Sequence, residues 1–172
     1  MPLTRGRRDN GPMSAIGERY SARLRAMYSG ERADRTARIL SQLWARVLPL
    51  GLAPPRWVTL EVVGRKSGRP TRFPLGMADV DGRWFLVSML GENCNWVRNV
   101  RAADGRAVLR RRGAKPCLLV EVPVDQRVPI IRRYLEKVPG GRPHIDVTAD
   151  APDEAIAAIA ARHPVFEVRP RP

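Results

Sequence analysis

The stretch Gly64-Arg65-Lys66-Ser67-Gly68-Arg69-Pro70-Thr71-Arg72-Phe73-Pro74 joins two apolar runs, and these runs decide how the chain is expected to fold. Residues 57–63 are rich in β-branched side chains and end at a glycine, which predicts a strand. Residues 72–80 predict a second strand. Between the runs, four cations fall within eight residues without an acid. A tight loop bracketed by glycines and carrying such cations favours an anion as its ligand. The loop by itself leaves open the alternative of a solvated basic hairpin turn.

Turn-forming residue pairs divide the rest of the chain into short segments. Asp81-Gly82 predicts a type I′ hairpin, because both positions of that turn require positive φ angles. Asp104-Gly105 predicts a second turn. Six short segments at hairpin spacing favour a small β-barrel of mainly antiparallel strands over a parallel sheet. The remaining strands are predicted at residues 84–89, 107–112, 116–124 and 165–168, the last of them at an edge.

Helical patterns flank the predicted strands. Residues 31–48 place apolar side chains at three- and four-residue steps, which predicts an N-terminal helix that covers the core. The alternative is a helix on an anionic membrane surface, which its arginines and Trp44 favour. Residues 1–30 are predicted to be a basic, mobile segment before one barrel domain of residues 31–172. The fold class is therefore α+β, with further helices predicted at residues 96–102, 125–138 and 153–162.

The composition is strongly basic, with a formal net charge of +14 and an isoelectric point near 11.4. This charge predicts attraction to polyanions, which include nucleic acid, an anionic membrane and a phosphorylated cofactor. Cys94 and Cys117 are too few for a disulfide framework, so a reducing cytoplasm is the predicted location. No apolar run approaches the roughly 20 residues that span a bilayer.

Several kinds of site are disfavoured by the residue pattern. His144 and His163 are isolated from other metal-ligand types, so no metal site is predicted. Nothing like GxSxG surrounds Ser88, which argues against a serine triad. Nearby cations would lower the pKa of Cys94, but a bystander thiol is the favoured interpretation. A nucleic-acid partner is also disfavoured, because the tryptophans lie in apolar patterns typical of core packing; they are Trp44, Trp57, Trp84 and Trp96.

Two ordered motifs resemble a known family. The first is residues 60–75, with the core Gly-Arg-Lys-Ser-Gly-x-Pro followed by Pro74-Leu75. The second is the predicted strand at residues 84–88, the loop after it, and Asn95-Trp96-x-x-Asn99-x-x-Ala102. In this order and at this separation, the motifs resemble those of the deazaflavin-dependent nitroreductases, which are oxidoreductases that use reduced coenzyme F420. The resemblance covers about residues 57–124.

The resemblance implies a split β-barrel that binds coenzyme F420 in a groove and transfers a hydride to a quinone, a nitroaromatic or a similar planar electrophile. Arg65, Lys66 and Ser67 match the family positions that hold the cofactor's phosphate and oligoglutamate tail. Ser88 is the candidate hydrogen-bond donor to the ring or the acceptor. The alternative cofactor on the same fold is FMN. The other expected cofactor contacts are Arg72, Pro74, Leu75, Met89, Leu90, Trp96 and Asn99.

The sequence departs from the family pattern at three places. Val97 stands where the family often has an aromatic residue, and the cation after the motif proline falls one residue later, at Arg72. Residues 139–144 replace a segment that carries substrate-facing tyrosines in the best-known members. The sequence therefore does not specify which small planar molecule is the electron acceptor. The chain is expected to be a monomer or a homodimer, either wholly cytoplasmic or peripheral at the inner face of the membrane.

Overall fold

The computed structural model describes residues 56–171, in which six strands close into one antiparallel barrel. The order around the barrel is β1-β2-β3-β6-β5-β4, and β4 pairs back with β1. The predicted antiparallel barrel with peripheral helices is therefore confirmed. The predicted basic segment and N-terminal helix lie outside the described residues. The strands are β1 (Trp57–Val63), β2 (Pro70–Val80), β3 (Arg83–Val87), β4 (Arg106–Arg110), β5 (Ala114–Glu121) and β6 (Val165–Pro170).

Within residues 56–171, three helices accompany the barrel: α1 (Asn95–Ala102), α2 (Val128–Lys137) and α3 (Asp153–Ala160). The helix predicted from residue 125 begins later, because Val124–Gln126 forms a 3-10 turn before α2. Pro129 occupies the first turn of α2, where its missing N–H leaves no helical hydrogen bond unmade. A second 3-10 turn, Pro139–His144, follows α2. None of the helices in residues 56–171 has the length and apolarity that crossing a membrane requires.

The predicted hairpin at Asp81-Gly82 joins β2 to β3, and its two residues have φ angles of 49° and 73°. Positive φ at both positions is what a type I′ turn demands, so this prediction is confirmed. Asp104 and Gly105 likewise have positive φ, 50° and 76°, where α1 ends and the chain turns into β4. The packing around Gly105 is tight, because a Cβ atom there would lie 2.4 Å from the carbonyl oxygen of Leu119.

Alternate residues of all six strands point into the barrel, where they form one apolar cluster. Helix α1 supplies Trp96, Val97 and Val100 to the same cluster. The Trp96 ring meets Phe166 of β6 edge to face, with the centroids 5.4 Å apart. A second cluster lies on the outer side of β2, β3 and β6, against α2 and α3. The core is therefore built in two layers, and α1 belongs to the inner one.

Strand β6 is not the edge strand that the sequence predicts. It pairs with β3 on one side and with β5 on the other, so it closes the barrel. Phe166 and Val168 belong to the inner cluster, whereas Val165 packs in the outer one. The first residues on both faces of β6 are apolar and are covered by neighbouring elements. An exposed edge strand would instead carry charged residues or proline, which prevent pairing with another chain.

Three carboxylates on the barrel wall each accept hydrogen bonds from two arginines. Glu61 of β1 accepts from Arg72 of β2 at 2.7 Å and from Arg110 of β4 at 2.8 and 2.9 Å. Asp79 is held in the same way by Arg56 and Arg133, and Glu121 by Arg101 and Arg127. These bonds tie neighbouring strands and helices together. Each of these carboxylates offsets the charge of one of its two arginines.

The bridge at Glu61 makes stability depend on pH. Hydrogen bonds from Arg110, and secondarily from Arg72, lower the pKa of Glu61 from its ordinary value of 4.5, against the opposing effect of burial. A carboxyl with a lowered folded pKa stabilises the protein above its unfolded pKa. That contribution is lost as the pH falls through the folded pKa.

We predict that Glu61→Gln lowers the free energy of unfolding by about 1–3 kcal/mol at pH 7, because charge-assisted bonds to a side chain only 13% exposed are lost. The difference from the wild type should shrink toward pH 3. Urea unfolding at several pH values measures it. Glu154→Gln is the control, since this exposed glutamate makes no ion pair within residues 56–171. An equal loss of unfolding free energy in Glu61→Gln and Glu154→Gln would contradict a stabilising ion pair at Glu61.

A second prediction separates backbone strain from packing at the turns. Gly105→Ala and Gly82→Ala both place alanine at a positive φ, 76° and 73°, but nothing lies within 4 Å of a Cβ at Gly82. Gly82→Ala should cost about 1 kcal/mol from strain. Gly105→Ala should cost about 1–3 kcal/mol more, because its Cβ collides with the backbone of β5. Equal urea midpoints would show that the backbone yields at Gly105.

Candidate functional site

The loop between β1 and β2 is folded back on itself by hydrogen bonds to Gly64. The N–H groups of Ser67 and Gly68 donate to the Gly64 carbonyl at 3.2 and 2.8 Å, and the Gly64 N–H donates to the Arg69 carbonyl at 2.9 Å. A Cβ atom at Gly64 would lie 2.7 Å from the Ser67 hydroxyl oxygen, and Gly68 has a φ of 64°. The positive φ favours glycine at position 68, whereas a Cβ at position 64 would require the Ser67 side chain to move. The side chains between and after them, from Arg65 to Arg69, are exposed.

Arg65 joins this loop to α1. Its Nη1 donates to the Asn99 side-chain oxygen at 2.9 Å and to that of Asn95 at 3.3 Å, and its backbone N–H also reaches Asn99, at 3.3 Å. Asn95 and Asn99 are four residues apart, so they lie on one face of the helix. Arg65 and Asn99 are 34 residues apart in the sequence, so their hydrogen bond brings the two sequence motifs together.

Ser88 directly follows β3 and is fully buried, with 0% exposure. Its hydroxyl donates to the Gly91 carbonyl at 2.7 Å, and its backbone N–H donates to the Pro164 carbonyl at 2.9 Å. The hydroxyl proton is therefore used within the protein. The prediction that Ser88 donates to a bound ring stays a prediction, and this geometry favours a structural role for its hydroxyl.

The other predicted cofactor contacts lie in different surroundings. Trp96 is buried in the inner cluster, and Leu75 packs against that cluster. Both residues therefore contribute to the core whether or not a ligand is bound. Met89 packs against the outer cluster, whereas Leu90 is 43% exposed. Arg72 donates to Glu61, which leaves less of its charge for a ligand. The remaining predicted residue, Pro74, is half-buried on β2 opposite Thr59.

Asn95 lies beside the loop after β1, in contact with Arg65, and the sequence analysis did not predict this. Asn95 stands in the second motif, but only Asn99 and Trp96 of that motif were expected to contact the cofactor. Its four-residue spacing from Asn99 is the sequence feature that points to it, because such residues share a helix face. Arg98 is also exposed on α1 and donates to Asn93.

The loop differs electrostatically from the barrel wall. Lys66 and Arg69 make no ion pair with any other residue between 56 and 171, and Arg65 is bound by neutral amides only. Exposed cations that no carboxylate neutralises form a receptor for phosphate or carboxylate groups. An anionic cofactor tail such as that of F420, with its phosphodiester and carboxylates, fits this donor set.

A family model for F420H(2)-dependent quinone reductases matches residues 45–140, which is more than half of the chain. The chain belongs to this family. The predicted family resemblance is thereby confirmed, as is coenzyme F420 rather than FMN as the cofactor. The protein is an F420-dependent oxidoreductase.

Solved structures with TM-scores of 0.50 and 0.51 are similar to this chain in fold. One described as a domain-swapped dimer is 19% identical, covers 92% of this chain and 100% of its own, and has a TM-score of 0.50. The protein Atu2129, of unknown function, from Agrobacterium tumefaciens is 16% identical over 74% of this chain and 54% of its own, with a TM-score of 0.51. An F420-H2 dependent reductase, FDR-A, is 20% identical over 67% and 95%, with a TM-score of 0.46. No match was found among curated proteins.

Cys94 lies beside two of the predicted contacts, since its sulfur is within hydrogen-bonding reach of the Ser88 side chain and the Leu90 backbone. Burial raises the pKa of Cys94, so the lowered pKa that nearby cations suggested is wrong and the bystander interpretation stands. Burial likewise raises the pKa of Cys117, to about 11. A groove of about 950 Å³ lies between the β2–β3 hairpin and helices α2 and α3, and none of the predicted cofactor contacts lines it. Within residues 56–171, no group of three metal-ligand side chains is found.

We predict that Asn99→Ala lowers the free energy of unfolding by about 1–3 kcal/mol, because Arg65 loses the acceptor of both its backbone and its side-chain bonds at a position 4% exposed. Asn95→Ala is the control on the same helix face, and it should cost about 0.5 kcal/mol or less since its bonds are exposed and longer. Urea unfolding and amide hydrogen exchange at Arg65 measure the two effects. Unchanged exchange at Arg65 in Asn99→Ala would contradict the junction.

Proposed function

We propose that this protein transfers a hydride from reduced F420 to a quinone, a nitroaromatic or a similar planar electrophile. The observation that carries the proposal is the junction between the cationic loop and α1, made by Arg65 with Asn95 and Asn99. Membership in a family named for quinone reduction supports a quinone as the acceptor. The reduced deazaflavin supplies the hydride when it is bound, and the protein's part is to bind, orient and exclude water.

The loop is proposed to hold the anionic tail. Lys66 and Arg69 are exposed and unpaired in the described chain, so a phosphate or carboxylate displaces only water from them. The Ser67 oxygen accepts the Arg69 N–H at 3.3 Å, which leaves its own proton available to an anion. Each charge-assisted bond of this kind contributes roughly 1.5–3 kcal/mol.

Arg65 is proposed to fix the loop's orientation as well as to add charge. Its bonds to the two asparagines use both Nη1 protons and one Nη2 proton. The Nε proton and the second Nη2 proton are then available for a ligand. An arginine held on one side by neutral amides keeps its full charge for the other side.

The ring is proposed to lie beside the segments that follow the loop and end β3. Pro74 and Leu75 on β2, with Met89 and Leu90 after β3, offer apolar surface, of which Leu90 is the most exposed part. Apolar walls exclude water and favour a flat aromatic acceptor stacked on the ring. Trp96 supports this region from inside the barrel.

The assembly and location are proposals as well. The structural relative described as a domain-swapped dimer supports a homodimer over a monomer, and light scattering distinguishes the two. Membrane contact through residues 31–48 falls on a part of the chain outside the described residues. A cytoplasmic location with a small-molecule acceptor stays our prediction.

The test is fluorescence titration of F420 with the purified protein at near-physiological salt, with FMN in parallel. Saturable binding of F420, and oxidation of its reduced form when a soluble quinone is added, are the expected results. Lys66→Ala should weaken F420 binding about 10- to 100-fold, the equivalent of one charge-assisted bond. Lys115→Ala is the matched control, since that lysine is equally exposed and without an ion pair among residues 56–171. Equal affinities of the two variants would remove the loop from the binding site.

A further inference from the structure

His163 is a buried side chain, 7% exposed, in the connection between α3 and β6. Its Nδ1 lies 2.9 Å from the backbone carbonyl oxygen of Ser88, at the end of β3. A carbonyl oxygen only accepts hydrogen bonds, so Nδ1 must carry the proton. In the neutral ring this leaves Nε2 unprotonated. The contact therefore fixes one tautomer of this histidine.

The His163 bond is one of several that fasten residues 88–91, here called the 88–91 turn. The Ser88 N–H donates to the Pro164 carbonyl at 2.9 Å, and the Gly91 N–H donates to the Ser88 carbonyl at 3.2 Å. The Ser88 hydroxyl closes the turn on the Gly91 carbonyl at 2.7 Å. Gly91 has a φ of 84°, and a Cβ atom there would lie 3.2 Å from the Arg162 carbonyl oxygen.

The turn is held on one side by residues 162–164, and both lone pairs of the Ser88 carbonyl are used. On its other side, the Cys94 sulfur is within hydrogen-bonding reach of the Ser88 side chain and the Leu90 backbone. The outer residues of the turn are half-buried Met89 and exposed Leu90. Immediately after the turn, α1 is fixed independently by the packing of Trp96 and Val97 in the barrel. Loss of the His163 bond would therefore move the turn more than it moves α1 or the loop that α1 holds.

We propose that His163 is a positioning residue for hydride transfer, whose Nδ1–H fixes the Ser88 carbonyl and so holds Met89 and Leu90 at the edge of the ring and acceptor site. This inference rests on the proposed function, which places the 88–91 turn beside the ring. His163 touches neither cofactor nor acceptor in this role.

The surroundings of His163 keep its ring neutral near pH 7. Burial lowers its pKa from the ordinary value of 6.5, and the cationic Arg162 acts in the same direction. The hydrogen bond to the Ser88 carbonyl opposes burial and raises the pKa, and Asp146, which lies 3.9 Å from Arg162, raises it more weakly, but the net direction is a lowered pKa. A neutral ring donates a single directed hydrogen bond, as a fixed positioning contact requires.

The first test needs no variant. In the wild-type protein labelled with ¹⁵N-histidine, the NMR spectrum at pH 7 should show His163 protonated at Nδ1 and unprotonated at Nε2. The amide protons of Ser88 and Gly91 should exchange slowly with solvent. The opposite tautomer for His163 would overturn the proposal, whatever the enzyme's activity.

The second test uses three substitutions of His163. His163→Ala removes the donor, His163→Asn restores an N–H near the position of Nδ1, and His163→Gln places its N–H near the position of Nε2. We expect His163→Ala to lower kcat with a soluble quinone about 10- to 100-fold, the effect of a displacement near 1 Å. F420 affinity should change less than about threefold, because the tail loop is untouched. Asn should recover most of the lost kcat, and Gln should not.

Gly91→Ala provides an independent disturbance of the same turn should His163→Ala fail to fold. Strain at positive φ and contact with the Arg162 carbonyl should reproduce the low kcat with near-normal F420 affinity. Gly82→Ala, at a positive φ in the distant hairpin, should leave both parameters near those of the wild type. If the wild type oxidises F420H2 but the His163 and Gly91 variants keep its kcat, the inference fails while the proposed function stands. A wild type that neither binds nor oxidises F420H2 would instead refute the proposed function.

Discussion

The closed apolar interior of the barrel is the constraint on which the rest of the structure depends. Six short strands contribute alternate side chains to it, and α1 fills the remaining space with Trp96, Val97 and Val100. Because this helix is part of the core, its position is fixed with the accuracy of core packing rather than that of a surface element. An adjacent face of the same helix then presents Asn95 and Asn99 to the loop after β1, and Asn99 is itself buried. One element therefore serves both the stability of the barrel and the geometry of the site.

The large positive charge is divided into two populations with different roles. On the barrel wall, pairs of arginines share one carboxylate, as Arg72 and Arg110 do at Glu61, so each carboxylate offsets the charge of one arginine of the pair. At the loop, Lys66 and Arg69 meet no carboxylate among residues 56–171, and the same holds for the cations of residues 111–115 at the β4–β5 hairpin. Net charge alone suggested several classes of polyanion as partner. The loop differs from that hairpin in its junction with α1, which Arg65 makes.

Much of the fold could be predicted because its signals are local. Asp81-Gly82 demands positive φ angles, and the glycine-bracketed loop after β1 ends one strand and starts the next. The closure by β6 could not be predicted, since whether a short apolar strand ends at an edge or bridges two neighbours depends on contacts made far away in the sequence. Within the site, the family resemblance assigned Arg65 and Asn99 to the same cofactor, whereas the hydrogen bond between them is seen only in the structure. The contacts of Ser88 and His163 are backbone contacts, and side-chain identity gives little indication of these.

The spacing of Asn95 and Asn99 on a core-packed helix also has an evolutionary consequence. Inserting or deleting one residue within α1 would rotate everything beyond it by about 100°. The rotation would turn either the asparagines away from the loop or the aromatic and aliphatic side chains out of the barrel. Relatives that retain the site should therefore vary in length at the hairpin tips, such as Asp81-Gly82, and stay constant in length from Asn95 to Val100. In an alignment of relatives, gaps are therefore expected at the hairpin tips and not within this helix.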